Sequence, residues 1–311
     1  MSVDVLVVGS VNADMIVRVP VLPTPGQTVT GGILKQQGGG KGANQAVAAA
    51  RLGARVAMVA SVGADAAADE AIRELHREGV AEARVTRQLD APTGVALIVV
   101  DDLGENQIAV ASGANERLDA VTVTALLEDI ELSPGGVCLL GFEVPDNAIE
   151  VAARWGADRK AHVILNPAPA RVLSATLAEC TTILTPNAVE AVEMTGARSP
   201  EEAADVLVRE TGCSVVVTMG ERGVVVASGE RLERSAAHES DVVDTTGAGD
   251  AFNAALAVAL SEQKSFAEAV NRAQAAAAIS TRGLGARAGL PTAHELEVFL
   301  RHHAQRSDSV D

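Results

Sequence analysis

The sequence predicts an α/β fold: a three-layer sandwich with a largely parallel central sheet and a small β-sheet lid. Three observations carry this. Short runs of Val, Leu and Ile alternate with helical stretches along most of the 311 residues, as strands joined by crossover helices do. Polar, acidic or glycine-bearing clusters follow many of the apolar runs, where ligands of such folds bind. Two stretches, about 14–37 and 93–112, break the rhythm and have extended character without a plausible helix.

In chain order, Val3 to Val8 reads as a buried strand ending at Gly9-Ser10. Ala43 to Leu52 is Ala-rich and helical, and Ala57 to Ala60 is the next strand. Ala66 to Glu78 is helical, with Ala71, Ile72 and Leu75 on its apolar face. Further strands are expected at Val95–Val100, Ile108–Val110, Val137–Leu140, His162–Leu165, Thr182–Leu184, Val215–Thr218 and Val224–Ala227. Helices are expected between many of them, at Val121–Ile130, Ala148–Trp155, Ala188–Thr195 and Glu201–Glu210. The first irregular stretch holds Val17, Val19, Val21 and Val29 among Pro20, Pro23 and Pro25. The second reads as a hairpin turning at Asp101-Asp102-Leu103-Gly104. Together they predict a small sheet, too small to be stable alone, that serves as a lid over the cleft or as a dimer surface. The polar segment 301–311 is expected to fray. One domain spanning 1–311, with its lid, accommodates all of these elements.

Composition narrows the function. With 41 acidic against 25 basic residues the formal charge is -16, which argues against a nucleic-acid binder but leaves room for an anion pocket. With four Phe, one Trp and no Tyr, a purine site is expected to be aliphatic. Cys138, Cys180 and Cys213 are too scattered for a disulfide or zinc framework. None of the six His has metal-site spacing, and His76 and His238 read as surface or loop residues. Val5 to Val8 is too short to span a membrane or serve as a signal core, so a cytoplasmic setting is expected.

The most informative stretch is Asp244-Thr245-Thr246-Gly247-Ala248-Gly249-Asp250, followed by the apolar Ala251-Phe252-Asn253-Ala254-Ala255-Leu256. Backbone N–H groups at a helix start favour an anion, and glycine allows close approach. A carboxylate at that mouth, Asp250, makes sense if it meets a group losing a proton while the turn holds charge developing on a phosphoryl group. An Asp-capped glycine turn is the plainer alternative. Gly38-Gly39-Gly40-Lys41-Gly42-Ala43-Asn44 is not a Walker A loop, since Gly42 follows Lys41. It offers backbone donors, one cation and an amide for sugar hydroxyls or phosphate, unless it is simply a flexible loop. Asn12 and Asp14 follow the first strand and suit vicinal hydroxyls, or cap a turn. Glu143 stands in the equivalent place after another strand, and Asn166-Pro167 after the next. Asn187 and Glu190, three apart on a helix start, could sit beside a hydrated Mg²⁺ or merely satisfy the helix end. Thr218-Met219-Gly220-Glu221-Arg222-Gly223 has the look of a nucleotide-side turn.

The segments Gly38 to Ala46 and Asp244 to Phe252 make the chain resemble the ribokinase-like (PfkB) carbohydrate kinases over almost its whole length. Gly9 to Asp14, Pro23 to Val29 and Asn166 to Ala170 resemble the ribose-phosphorylating branch more than fructokinases, adenosine kinases or phosphofructokinase members. This resemblance implies ATP-dependent phosphorylation of D-ribose at its 5-hydroxyl. It implies Asp250 as the base, with the N–H groups of Gly247, Ala248 and Gly249 as anion hole. Asn12, Asp14, Gly40, Lys41, Asn44 and Glu143 would hold the sugar. Asn187, Thr218, Gly220 and Gly223 would serve the nucleotide, and Asn187 with Glu190 the phosphate–Mg²⁺ side. A monovalent cation, usually K⁺, is also implied beside the anion hole. Its donors would be Asp244, Thr246 and the carbonyls of Ser280, Gly283 and Gly285; where the family places a later Ser donor, this chain has Gly289. The lid sheet would also make a homodimer contact. Three alternatives stand beside this reading. One is a same-family kinase for another small sugar or nucleoside such as 2-deoxyribose or adenosine, and another is a non-catalytic sugar-binding protein. The third, a dinucleotide-dependent oxidoreductase, lacks the required G-x-G-x-x-G after the first strand.

Overall fold

The structure is a computed structural model that describes residues 2–103 and 105–307. The strands are β1 (Ser2–Val8), β2 (Asn12–Arg18), β3 (Ile33–Gly39), β4 (Val56–Gly63), β5 (Glu82–Gln88), β6 (Gly94–Val100), β7 (Asn106–Ala111), β8 (Glu131–Gly141), β9 (His162–Asn166), β10 (Ile183–Leu184), β11 (Ser214–Thr218), β12 (Val224–Ser228) and β13 (Arg231–Ser235). The helices are α1 (Lys41–Arg51), α2 (Ala66–Arg77), α3 (Ala120–Leu127), α4 (Asp146–Asp158), α5 (Ala175–Cys180), α6 (Ala188–Thr195), α7 (Pro200–Thr211), α8 (Ala248–Ser261), α9 (Phe266–Ser280) and α10 (Ala293–Ser307).

Nine strands form the main sheet in the order β13-β12-β11-β10-β9-β8-β1-β4-β5. It is parallel from β11 to β5, and β12 and β13 add an antiparallel edge. Parallel strands need both faces covered, because crossover helices lie on both sides. Strand β1 shows it residue by residue. Val5 and Val7 pack into one apolar cluster with α1, α8 and α9, and Leu6 and Val8 into a second with α3, α4 and α7. A three-layer sandwich results, as the alternating pattern predicts. Among the described residues, no helix is long and apolar enough to cross a membrane.

The two irregular stretches meet as a second sheet, β3-β2-β6-β7, which forms the lid. Strand β2 runs parallel to β6, with Asn12 opposite Gly94, and antiparallel to β3, with Asn12 opposite Gly39. This register carries Asn12 and Asp14 on a lid strand beside the glycine-rich segment. The lid exposes Ile33, Leu34, Leu97, Ile108 and Val110. The expected hairpin joins β6 to β7; Gly104 of its turn lies outside the described residues.

The strands absent from the sequence reading, β5 and β13, are the two edges of the main sheet. Their sequences, EARVTRQ and RLERS, carry the charges that keep an edge from pairing further, and so present no apolar run. Of the segment 301–311, expected to fray, α10 takes in the residues up to Ser307, and residues 308–311 lie outside the described residues.

Candidate active site

Asp250 sits in the first turn of α8, buried, at the carboxyl ends of the parallel strands. Its Oδ2 accepts from Asn44 Nδ2 at 3.0 Å and its Oδ1 from Gln45 Nε2 at 3.2 Å. Burial pushes the carboxyl up to about 6 against the pull of Lys41 and Asn44. This is the condition a general base needs: ionised at neutral pH, yet basic enough to take a proton. The turn before it is set by Gly247, whose φ of 83° is left-handed and whose absent Cβ leaves room for Ala286 O, 2.5 Å from where that atom would lie. Thr245 O accepts from Ala248 N at 3.1 Å. The N–H groups of Gly247 and Gly249 meet no acceptor among the described residues, so these two are the open donors of the expected anion hole.

A ring of buried amides fixes this centre. Gln45 also donates to Asn166 Oδ1 (3.3 Å), and Asn166 Nδ2 donates to Thr185 O (3.0 Å). Thr185 Oγ1 donates to Asn253 Oδ1 (2.6 Å), and Asn253 Nδ2 to Gly249 O (2.8 Å). The ring runs from the carboxylate back to the anion-hole glycine. The sequence reading assigned no role to Gln45, Thr185 or Asn253 and gave Asn166 only its position after a strand. A signal existed for two of them: Gln45, next to Asn44, and Asn253 are amides on helices rich in Ala, and a buried amide must find partners.

The sugar side assembles from the lid and the glycine-rich segment. Asn12 and Asp14 are buried on β2, two apart and so on one face. Asn115, which the sequence reading overlooked, donates through Nδ2 to Asn12 Oδ1 (2.8 Å) and fixes its amide. Asp14 packs against Gly39 so closely that a Cβ there would lie 2.0–2.2 Å from the carboxyl atoms. Burial pushes the Asp14 carboxyl up to about 6, opposed by the Arg287 guanidinium and reinforced by Glu143, Asp250 and Glu74. Gly40 caps α1. Glu143 Oε2 accepts from Ser10 Oγ (2.5 Å) and from Lys41 N (2.9 Å), tying the glycine-rich segment to the end of β8. The Lys41 ammonium is held protonated chiefly by Asp250, then by Glu143 and Glu190. Asn44 is shared between Asp250 and Arg287 Nε, 2.8 Å from its Oδ1.

Three cavities run in line through these residues. A cavity of about 590 Å³ is lined by Asn12, Lys41, Asn115, Glu143, Ala168 and Glu190 among others. It shares Lys41, Ala168 and Glu190 with a central cavity of about 230 Å³ that holds Asp250, Gly247, Gly249 and Asn187. That one shares Thr218, Thr245 and Gly249 with a groove of about 720 Å³. Gly220, Gly223, Val224, Val242, Ala277 and Ala278 help line the groove, together with Phe252 and His238, which makes it largely aliphatic as the composition suggests. A fourth cavity, about 1140 Å³, meets the groove at Glu239 and Ser240 but includes no residue of the central cavity.

The metal expectations fare differently. Asn187 and Glu190 form a capping box: Asn187 Oδ1 accepts from Val189 N and Glu190 N, and Glu190 Oε2 accepts from Asn187 N. Both still line the central cavity, and the other Glu190 oxygen remains available. One carboxylate beside phosphates is a normal protein share for Mg²⁺, which keeps its waters, so these residues fit that ion. No group of three or more His, Cys, Asp or Glu able to hold a metal occurs among the described residues. For K⁺ the one carboxylate of the expected set is already engaged within the protein. Asp244 Oδ1 accepts from Thr246 N and Oγ1, and Oδ2 from Gly285 N. Ser280 O is closed over by Gly289, where a Cβ would lie 1.9 Å away. Gly283 and Gly289 face the fourth cavity, whose lining omits Asp244 and Thr246.

Comparison with known proteins agrees with this geometry. Residues 3–293 match the model of the pfkB family carbohydrate kinases. A ribokinase of Haemophilus influenzae is 38% identical over 301 residues, covering 95% of this chain and 98% of the relative. A deoxyribokinase of Salmonella typhi is 32% identical, covering 96% and 98%. The crystal structure of ribokinase from Thermotoga maritima superposes with a TM-score of 0.83 at 34% identity, covering 96% of this chain and 99% of the other. The chain therefore belongs to the pfkB family of ribokinase-like carbohydrate kinases and is a phosphotransferase.

Proposed function

We propose that the enzyme transfers the γ-phosphoryl group of ATP to the 5-hydroxyl of D-ribose. The observation that carries this reading is the series of adjoining cavities: a pocket bearing Asn12, Lys41 and Glu143, a small chamber holding a buried carboxylate and two open N–H donors, and an aliphatic groove. Ribose would sit in the first, with its vicinal hydroxyls on Asn12 and Asp14 and further contacts from Gly40, Lys41, Asn44 and Glu143. Its 5-hydroxyl would reach Asp250, which takes the proton as the oxygen attacks phosphorus. The N–H groups of Gly247 and Gly249 would hold the transferring oxygens, and the Lys41 ammonium would offset charge from the sugar side. Phosphoryl transfer asks for little more than such alignment and electrostatics. ATP would occupy the groove with its phosphates passing Thr218 and Asn187 and its base near Gly220 and Gly223. Mg²⁺ bound with ATP would neutralise phosphate charge beside Glu190. The exposed apolar side chains of the lid support a homodimer built through it, which light scattering on the purified protein would test.

The substrate is tested by coupled ADP release with Mg-ATP over D-ribose, 2-deoxyribose, fructose and adenosine. Preference for ribose is expected, because a buried Asp14 left without its hydroxyl partner is costly. Equal or better turnover of 2-deoxyribose, the sugar named by one relative, would overturn the role given to Asp14.

A further inference from the structure

We infer that Arg287 is a positioning residue for this reaction, locking the Asn44 amide in the one orientation that donates to Asp250. Arg287 belongs to the loop between α9 and α10 and is only 6% exposed. Its guanidinium nitrogens are turned to protein groups, so it acts through them. Its Nε donates to Asn44 Oδ1 at 2.8 Å and its Nη2 reaches Gly39 O at 3.4 Å. Its Nη1 stands 3.1 Å from Glu74 Oε1 on α2, without a hydrogen bond of good geometry. Glu74 Oε2 in turn accepts from Gly38 N at 2.9 Å. The loop is pinned from outside as well, since Arg51 Nη1 donates to Arg287 O (2.8 Å) and Leu290 O (3.2 Å).

The consequence lies in the asymmetry of an amide. Asn44 has an acceptor end and a donor end. A guanidinium is donor-only and never loses its charge, so it accepts only the oxygen end. With Oδ1 claimed by Arg287, Nδ2 must face Asp250, as it does at 3.0 Å. Without the guanidinium Oδ1 loses its anchor and the carboxylate alone holds the amide, so one of the two side-chain donors that aim the base is less firmly fixed. A second residue orienting the first is how metal and catalytic ligands are commonly tuned. Arg287 also spans to Gly39 O, which joins the sugar-binding segment to the same brace. The sugar site and the base would then loosen together, while the nucleotide groove, which Arg287 does not touch, would stay as it is.

This inference rests on the proposed sugar phosphorylation, and the test separates the two. Arg287→Met alone leaves Glu74 buried without its partner and endangers folding, so the decisive variant is Arg287→Met/Glu74→Gln, with its melting temperature measured beside the wild type. In steady-state assays with the wild type's best sugar, kcat is expected to fall and the sugar KM to rise, each on the order of tenfold, the worth of one hydrogen bond to a charged group. The KM for ATP is expected to change less than about twofold, because no groove contact is lost. Wild-type kcat and sugar KM in the folded double variant would overturn the inference and leave Arg287 a structural ion pair. An ATP KM that rises as much as the sugar KM would overturn it too. A wild type that phosphorylates no sugar would remove the functional reading and this inference with it; an active wild type beside an indifferent variant removes the inference alone.

Discussion

Replacing Asp250 by Asn keeps the shape of the side chain and removes the base. The carboxyl is raised from 3.8 to about 6, with burial the largest cause, and that rise corresponds to about 3 kcal/mol against the ionised form. The folded-state value lies above the unfolded one. Asp250 therefore favours folding below the unfolded value of 3.8, and that contribution is lost as pH rises through about 6. At neutral pH the buried charge costs roughly 3 kcal/mol. An uncharged Asn escapes this cost but turns one N–H toward the donors Asn44 and Gln45, giving back about 1–3 kcal/mol for an unsatisfied buried group. The two effects nearly cancel, so Tm is expected to hold within about 3 °C. Catalysis has no such offset. Loss of a general base costs about a hundredfold to ten-thousandfold in rate, and we expect kcat to drop about a thousandfold, roughly 4 kcal/mol. The sugar and ATP KM values should move less than about threefold, because the contacts proposed for the ground state remain. Coupled ADP release at saturating sugar and Mg-ATP, with a parallel thermal melt, measures both quantities. A folded Asp250→Asn enzyme with kcat within about tenfold of wild type would refute the reasoning.

Three further outcomes are expected. Asp14 and Asp250 are both pushed up to about 6 and both are needed ionised, so kcat/KM for the sugar should fall below pH 6 with a slope steeper than one proton. A single-proton limb below about pH 5 in a pH–rate profile would contradict that. Asp14→Ala should raise the sugar KM about 10–100-fold, the loss of a charged hydrogen-bond partner, with little change in the ATP KM; an unchanged sugar KM would exclude Asp14 from the site. Exchanging Na⁺ for K⁺ should alter kcat less than about twofold, since the Asp244 carboxylate is taken up by Thr246 and Gly285; strong stimulation in a cation titration would contradict this.

Much of the chemistry was legible because it is local. Gly247 and Asp250 lie three apart at a helix start, and Gly38 to Asn44 run from the end of β3 into the first turn of α1, so sequence order is nearly spatial order there. The valines among prolines flagged the first lid stretch, although all but Val17 lie in the connection between β2 and β3. What stayed hidden depends on long-range meetings. Gln45 and Asp250 are 205 residues apart, as are the other links of the amide ring in lesser degree. Arg287 drew no reading from the sequence, and 243 residues separate it from the Asn44 oxygen that gives it meaning. The Asn187–Glu190 pair shows the opposite case. Its spacing carried two readings, a helix-end box and a cation partner, and the fold realises the first while leaving the second open to a ligand. Glycine at position 289 marked a departure from the cation-binding pattern, and the packing against Ser280 O gives that departure a steric reason.

The most direct test of the central claim is to identify the product by phosphorus and proton NMR after incubation with Mg-ATP and D-ribose. A new phosphomonoester coupled to the C5 protons of ribose, formed one for one with ADP, is the predicted result. Phosphate on another hydroxyl, or ADP released with free inorganic phosphate and unchanged ribose, would contradict the placement of the 5-hydroxyl against Asp250.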